Sequence, residues 1–539
     1  MKKVVTLLLA LTLILAFAAC GCDNSSNNPS QPSTSTPSTP STPSTPSTGT
    51  PTTPAGEPTG PEGQKYGGTI KYVAPGTLDV PFGIVYHYWT AFRPSNPFVE
   101  ALMLETPQGE FTNLLCVSME PDRENNELRF KLREDVFFED GSQFNAEVVA
   151  WHVYKWMEAG RLDPTIIGAE ARSEFEVALL MSQYGNWAPN YMASLVTGYI
   201  SVESYEKNGV DYAEQNPMGT GPFKLAEWTP GIHIKWDRKD NYWQPGKPYL
   251  DSVEYIAMTD PVTQSAAIIA GEIDVLHTSN GEQIATLRDM ADVSIFSRPS
   301  GPLSLIPSSN NPDSPLAIKE VRDAIYYAID RQLLCDARGF GLWTPATQMI
   351  MTGFDGHLPE SNEPAYDPER AKNLLSQAGY PNGLTVTLFS PSNVDRDAMV
   401  ALQSMCSAVG INIELEFPES GYALDLRTNG WEGLYAGGVA HLSNITSTLS
   451  MYVDPTYFYY PSMWRPAELE PAFYELRSTP LVEAKLMQDY CAALDAVRTL
   501  IPVYNTYICY VVRNGLEGHG FGDYGAGTEW RPPDTWWNR

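Results

Sequence analysis

From Tyr66 onward, the apolar and polar positions of the chain switch repeatedly between a period of two and a period near 3.6. The short β-branched runs "GGTIKYVAP", closed by Pro75, and "NELRFKL", with Leu128, Phe130 and Leu132 on one side, predict strands. Between such runs lie helical repeats. "NAEVVAWHVYKWMEAG" sets Val148, Val149, His152, Val153 and Trp156 on one face before Gly160, an aromatic stripe that reads as core. "SPLAIKEVRDAIYYAIDRQLL" aligns Ile318, Val321, Ile325, Ala328 and Ile329 and predicts a helix packed on a sheet. In "YDPERAKNLLSQAGYPNG", Asp367 is placed to cap the helix start, Pro368 suits the first turn, and Gly379 can end the helix before Pro381. A helix between "LTVTLF" and "INIELEF" fits a crossover joining strands of one sheet.

The stretch "NPMGTGPFKLAEW" tests whether any glycine loop cradles a phosphate. A phosphate loop needs GxxxxGK[ST] running from strand into helix, so that helix amides and a lysine face the anion. Here Gly219 and Gly221 flank Thr220, and Pro222 leads into alternating apolar positions, so a turn feeding an edge strand is expected.

Length and charge narrow the classes. With 539 residues the chain exceeds one core and suggests roughly two or three units. The 35 basic against 64 acidic residues give a net charge of −29, which repels polyanions and excludes nucleic acid as a partner. Lys2, Lys3, the apolar run Val4 to Ala19 and "FAAC" before Cys20 predict a lipoprotein signal over residues 1–19, with Cys20 as the lipid attachment site and the membrane as a partner. An ordinary signal peptide cut after Ala19 stays open; a transmembrane helix fits less well because the run is short for a span. Residues 20–65, rich in Ser, Thr and Pro, have almost nothing apolar to bury and read as an extended tether. Its roughly forty residues at about 3.1 Å each reach on the order of 130 Å.

Cys116, Cys335, Cys406, Cys491 and Cys509 stand far apart, several among apolar neighbours, and read as buried thiols, with one disulfide as the alternative. The seven histidines show no HExxH or HxxH pair, so neither a metal nor another cofactor is expected. Glu139 and Asp140 in "FFEDG" are adjacent carboxylates, yet neighbours on a strand point to opposite faces and cannot flank one glycosidic bond. No GxSxG elbow appears either, so no catalytic residue is assigned and the chain is expected not to be an enzyme.

The motifs together carry a resemblance. "NPMGTGPFKLAEWTPGIHIKWDRKDNYWQPGKPYLDSVEY", preceded by "GGTIKY" and "LRFKLREDVFFEDGSQFNAEVV", is similar to the signature of the family 5 extracellular solute-binding proteins of ABC importers, which includes dipeptide-, oligopeptide- and nickel-binding members. "AAIIAGEIDVL", "NPDSPLAIKEVRDAIYYAIDRQLL", "AYDPERAKNLLSQAGYPNG" and "LIPVYNTYICYVV" follow in the family's order, so the resemblance runs from Gly67 to about Val512. It implies an α/β, two-lobed periplasmic-binding-protein-like fold with hinge strands and an extra subdomain inserted in lobe one. Lobe one is expected at 66–100, 215–298 and 500–539, the inserted subdomain at 101–214, and lobe two at 299–499. The ligand would be enclosed between the lobes and delivered to an ABC permease with its ATPase.

The resemblance also directs attention to the ligand. Peptide-binding members hold the ligand's amine with an aspartate in a segment resembling "GW..D..DPDN". The matching stretch here, "NGWEGLYAGGVAHLSNITSTLSMYVDP", has no acidic residue between Glu432 and Asp454. It supplies Tyr435, His441, Ser443 and Asn444 as neutral candidates, which suit a sugar, a blocked or modified peptide or another neutral ligand better than a free peptide amine. A peptide is the expected ligand and an oligosaccharide the alternative. Tyr86, Tyr88 and Trp89 after the first strand offer flat faces for stacking, and Phe389 and Asn393 stand at a strand end where α/β folds meet ligands. Each of these also fits a plain core or loop position.

Overall fold

In the computed structural model, the β-branched runs come together in one eleven-stranded mixed sheet. The structure describes residues 66–73, 78, 82, 93–106, 109–193, 198–359, 365–438, 444–455, 457, 459–479, 482–523 and 530–538, all within the unit Glu57–Arg539. The predicted signal and tether lie outside these residues.

Across the sheet the strands run Ile411–Glu416, Leu384–Phe389, Leu434–Gly438, Val293–Pro307, Ile501–Arg513, Val275–Thr278, Thr69–Val73, Ser252–Ile256, His233–Arg238 and Phe223–Thr229, with Thr344–Pro345 paired beside Ile501–Arg513. The expected crossover is present. Leu384–Phe389 and Ile411–Glu416 pair in parallel from Leu384↔Ile411 to Phe389↔Glu416, joined by the helix Arg396–Ser407. Apart from the edge strand Ile411–Glu416, one face of which is exposed, this half of the sheet is covered on both faces and alternates cleanly. Leu305, Leu388 and Leu434 face the helices Lys319–Ala328 and Arg396–Ser407, whereas Ile306, Phe389 and Tyr435 face the helices Ile445–Val453, Glu470–Ser478 and Ala484–Ala496. In the other half, Val73, Leu276 and Val511 meet the helix Pro261–Ala270, and Ile70, Tyr72 and Tyr510 meet Phe98, Phe521 and Trp530.

A separate antiparallel sheet, in the order Cys116–Asp122, Glu127–Leu132, Glu176–Met181 and Ile166–Ser173, has its own core of Leu128, Phe130, Val149 and Trp156 under the helix Ala146–Glu158. His152 sits at the centre of this core. Its Nδ1 lies 2.8 Å from Val148 O, and its Nε2 accepts from Ile200 N at 3.1 Å, which assigns a neutral ring. Burial pushes it down to about 4.

Two expectations change. The run from Ser314 to Leu334 is not one helix: it forms Lys319–Ala328 and Arg331–Arg338, broken at Ile329 and Asp330. Asp330 caps the second helix, and the buried Arg331 guanidinium donates to the carbonyls of Tyr326, Ile329, Ala346, Ala365 and Pro502, which holds the break open. The disulfide alternative also falls away. Cys116, Cys335, Cys406, Cys491 and Cys509 are all free and buried, and burial pushes each thiol up to about 12. Among the described residues no three metal-ligating side chains gather.

Gly219 and Gly221 owe their place to close approach. Neither has a left-handed backbone; a Cβ on Gly219 would stand 2.0 Å from Phe98 O, and one on Gly221 2.6 Å from Phe98 C. The two backbones touch because Gly221 N donates to Phe98 O at 2.8 Å and Phe223 N to Pro97 O at 3.0 Å. Phe223–Thr229 then forms the sheet's edge, as its pattern predicts.

A Gly219→Ala protein is expected to lose at least about 2 kcal/mol of stability, because the obstructing atoms are backbone and cannot swing aside; urea denaturation checks this. For His152 the folded pKa lies below the unfolded one, so its contribution is present above about pH 6.5 and lost as pH falls toward 4, on the order of 3 kcal/mol. Nitrogen NMR of histidine-labelled protein should find this ring still neutral at a pH near 5.

Candidate ligand-binding cleft

Two long strands carry the sheet from one lobe to the other. Val293–Pro307 and Ile501–Arg513 pair antiparallel from Val293↔Arg513 to Leu305↔Ile501, with register shifts between Pro299 and Gly301 and between Leu303 and Ser304. Lobe-one partners end at Thr278↔Cys509, and lobe-two partners begin at Leu303↔Gly438. Residues 298–302 therefore bridge the lobes, and bulges are where a ladder bends. On this bridge sits Arg298, opposite Ile508. Its Nε is buried without a hydrogen-bond partner, and no carboxylate pairs with it among the described residues. Nothing in the local sequence marked it.

The candidates read from the sequence divide into three groups. Tyr86, Tyr88, Trp89, His441 and Ser443 lie outside the described residues. Phe389 and Tyr435 pair across neighbouring strands and point into the interior of lobe two, among Trp431, Tyr452 and Tyr460. The Tyr435 hydroxyl donates to Ala423 O at 3.2 Å, and burial raises its pKa to about 12. Asn393 is exposed in the loop after Phe389, where Asp395 caps the next helix. Asn444 caps the helix Ile445–Val453, its Oδ1 accepting from Thr446 N at 2.9 Å, while its Nδ2 donates to Asn186 O of the inserted subdomain at 3.0 Å.

The signature motifs converge elsewhere, on the join between lobe one and the inserted subdomain. Lys239 is buried, donates to Gly219 O at 2.8 Å and lies 3.0 Å from Glu139 Oε1. Burial works against both charges, raising Glu139 and lowering Lys239, and their mutual attraction opposes it. Asp140 forms the turn expected of it and accepts from Ser142 N at 3.0 Å. Nearby Glu100, raised by burial, accepts from Tyr242 at 2.5 Å and Trp243 at 2.9 Å. These carboxylates are thus held in structural contacts.

A model of the bacterial extracellular solute-binding proteins, family 5, middle region, matches residues 110–462. The chain belongs to family 5. A family 5 relative by sequence is the glutathione-binding protein GsiB of Escherichia coli K12, 29% identical over 333 residues, or 60% of this chain and 64% of that protein. The chain thus spans a little under two thirds of the length of such relatives. Among solved structures, the dipeptide binding protein of Pseudoalteromonas sp. SM9913 with Met-Leu superposes with a TM-score of 0.77 at 19% identity, covering 87% of this chain and all of that one. DppA from Helicobacter pylori with the peptide STSA gives 0.76 at 18%, covering 88% and 99%. Both likenesses establish the two-lobed α/β fold.

The positions of the candidates have a measurable consequence. Tyr435→Ala should cost about 3–5 kcal/mol, as for a large core side chain, and Asn393→Ala within about 0.5 kcal/mol of nothing; guanidinium denaturation distinguishes them.

Proposed function

We propose that this protein is a lipid-anchored extracellular solute-binding protein that captures a peptide between its lobes and delivers it to the permease of an ABC importer, whose ATPase drives uptake. Family membership, together with a hinge of two crossing strands, carries this reading. GsiB is named for glutathione, and two of the solved structures hold peptides, which favours a peptide here. In this assignment residues 1–19 are the signal, Cys20 carries the lipid, 20–65 tether the body outside the cytoplasmic membrane, and 101–214 interrupt lobe one as an inserted subdomain. Residues 66–100, 215–298 and 500–539 then form lobe one and 299–499 lobe two. No helix among the described residues is long and apolar enough to cross a membrane.

The segment from Gly433 to Val453 lacks the acid that would hold a ligand's amine, whereas Arg298 presents a guanidinium that no carboxylate pairs among the described residues. The ligand is therefore anchored by its carboxylate at the hinge, since an arginine fork matches that group. The acid-free segment also favours a second reading, an oligosaccharide without charge.

Protein lacking residues 1–64 tests these readings with a set of short peptides, followed by calorimetry and by native mass spectrometry of ligand retained on purification. Amidating the peptide C-terminus should weaken binding about tenfold to a hundredfold, acetylating the N-terminus should change it little, and Arg298→Ala should remove the difference. Turnover of the bound molecule would defeat the binding-protein reading. Loss of binding on N-acetylation alone would defeat the carboxylate anchor, and a retained sugar would favour the second reading.

A further inference from the structure

The inserted subdomain and lobe two have separate cores: no lobe-two residue enters the subdomain's cluster, and none from the subdomain enters the aromatic cluster of lobe two. Among the described residues they nevertheless touch at the turn Gly185-Asn186-Trp187 and, beside it, at Asp163. Asn186 uses its backbone and side chain together. Its N donates to Arg477 O at 2.9 Å, and its Nδ2 donates to Leu476 O at 2.9 Å and Thr479 O at 2.7 Å. Its Oδ1 accepts from Thr446 Oγ1 at 2.7 Å, and its O from Asn444 Nδ2 at 3.0 Å.

These five bonds join one turn to the C-terminal end of the helix Glu470–Ser478 and to the N-cap of the helix Ile445–Val453. At the first the turn meets carbonyls of the last helical turn, and at the second the side chains of Asn444 and Thr446. Beside them the Arg477 guanidinium lies 4.7 Å from the Trp187 ring and bridges Asp163 of the subdomain to Asp454 of lobe two. A glycine is required at 185, because a Cβ there would stand 1.9 Å from Trp187 Nε1.

We propose that this turn is a latch that fixes the closed arrangement of the lobes, with Asn186 as its positioning residue for ligand capture. The proposal rests on the binding-protein reading for its purpose, although the latch itself is a property of the ligand-free chain. The junction is polar rather than part of a shared core, so water can satisfy both sides once they part, and contacts of that kind separate reversibly. A ligand that closes the lobes gains the latch bonds in addition to its own, which ties affinity to residues that never touch it.

The test uses the full chain with Cys20 and Cys22 changed to Ser. Dyes are placed at Tyr154→Cys in the subdomain and Leu486→Cys in lobe two, positions 47% and 44% exposed, while the five inner thiols stay buried. Single-molecule energy transfer without ligand should show a short and a long distance. Asn186→Ala and Gly185→Ala should each reduce the short-distance population about tenfold or more, with circular dichroism unchanged. Should either variant lose its circular dichroism, Thr446→Ala replaces it and should shift the populations in the same direction. One distance distribution common to wild type and variants overturns the latch. Because no ligand is added, failure of every peptide to bind would defeat the functional reading while leaving this result standing.

Discussion

Backbone hydrogen bonding across the crossing strands is the constraint on which the molecule depends. Val293–Pro307 and Ile501–Arg513 must satisfy each other's amides and carbonyls along nearly their whole length, yet each also serves as a partner in a different half of the sheet. The two lobes are consequently one sheet, unable to drift apart and free to bend only where the ladder is irregular, around Pro299 to Ser304. Arg298 lies at that bend, and so a charge there is carried by the part of the chain that moves least relative to both lobes.

The inserted subdomain is held by contacts at its two ends. Against lobe one, a buried Lys239–Glu139 pair crosses the join. Separating that pair would leave two charges in a low-dielectric interior. Toward lobe two it offers a small polar turn whose partners are helix ends, with a buried Arg477–Asp163 pair beside it.

Local signals were legible in the sequence because their causes are local. Asp367 accepts from Arg370 N and caps its helix, and Gly379 takes a left-handed backbone just past that helix, as their spacing predicts. The break at Ile329 was not legible, because it is imposed by carbonyls brought from positions 346, 365 and 502 to Arg331. Asn186 escaped notice for the same reason: a turn residue of ordinary type gains its partners only from distant chain. Phe389 was placed at a strand end correctly, but period-two alternation decides facing, and it turned the rings of Phe389 and Tyr435 into a core.

The five buried thiols bear on where such a chain can be made. With every one of these cysteines reduced and its thiolate suppressed by burial, the described body asks nothing of an oxidising compartment. Once folded, it holds no disulfide for a reductant to open or a thiol to reshuffle. An exported protein of this design keeps its shape through changes in redox conditions that would reduce or reshuffle a disulfide-held one.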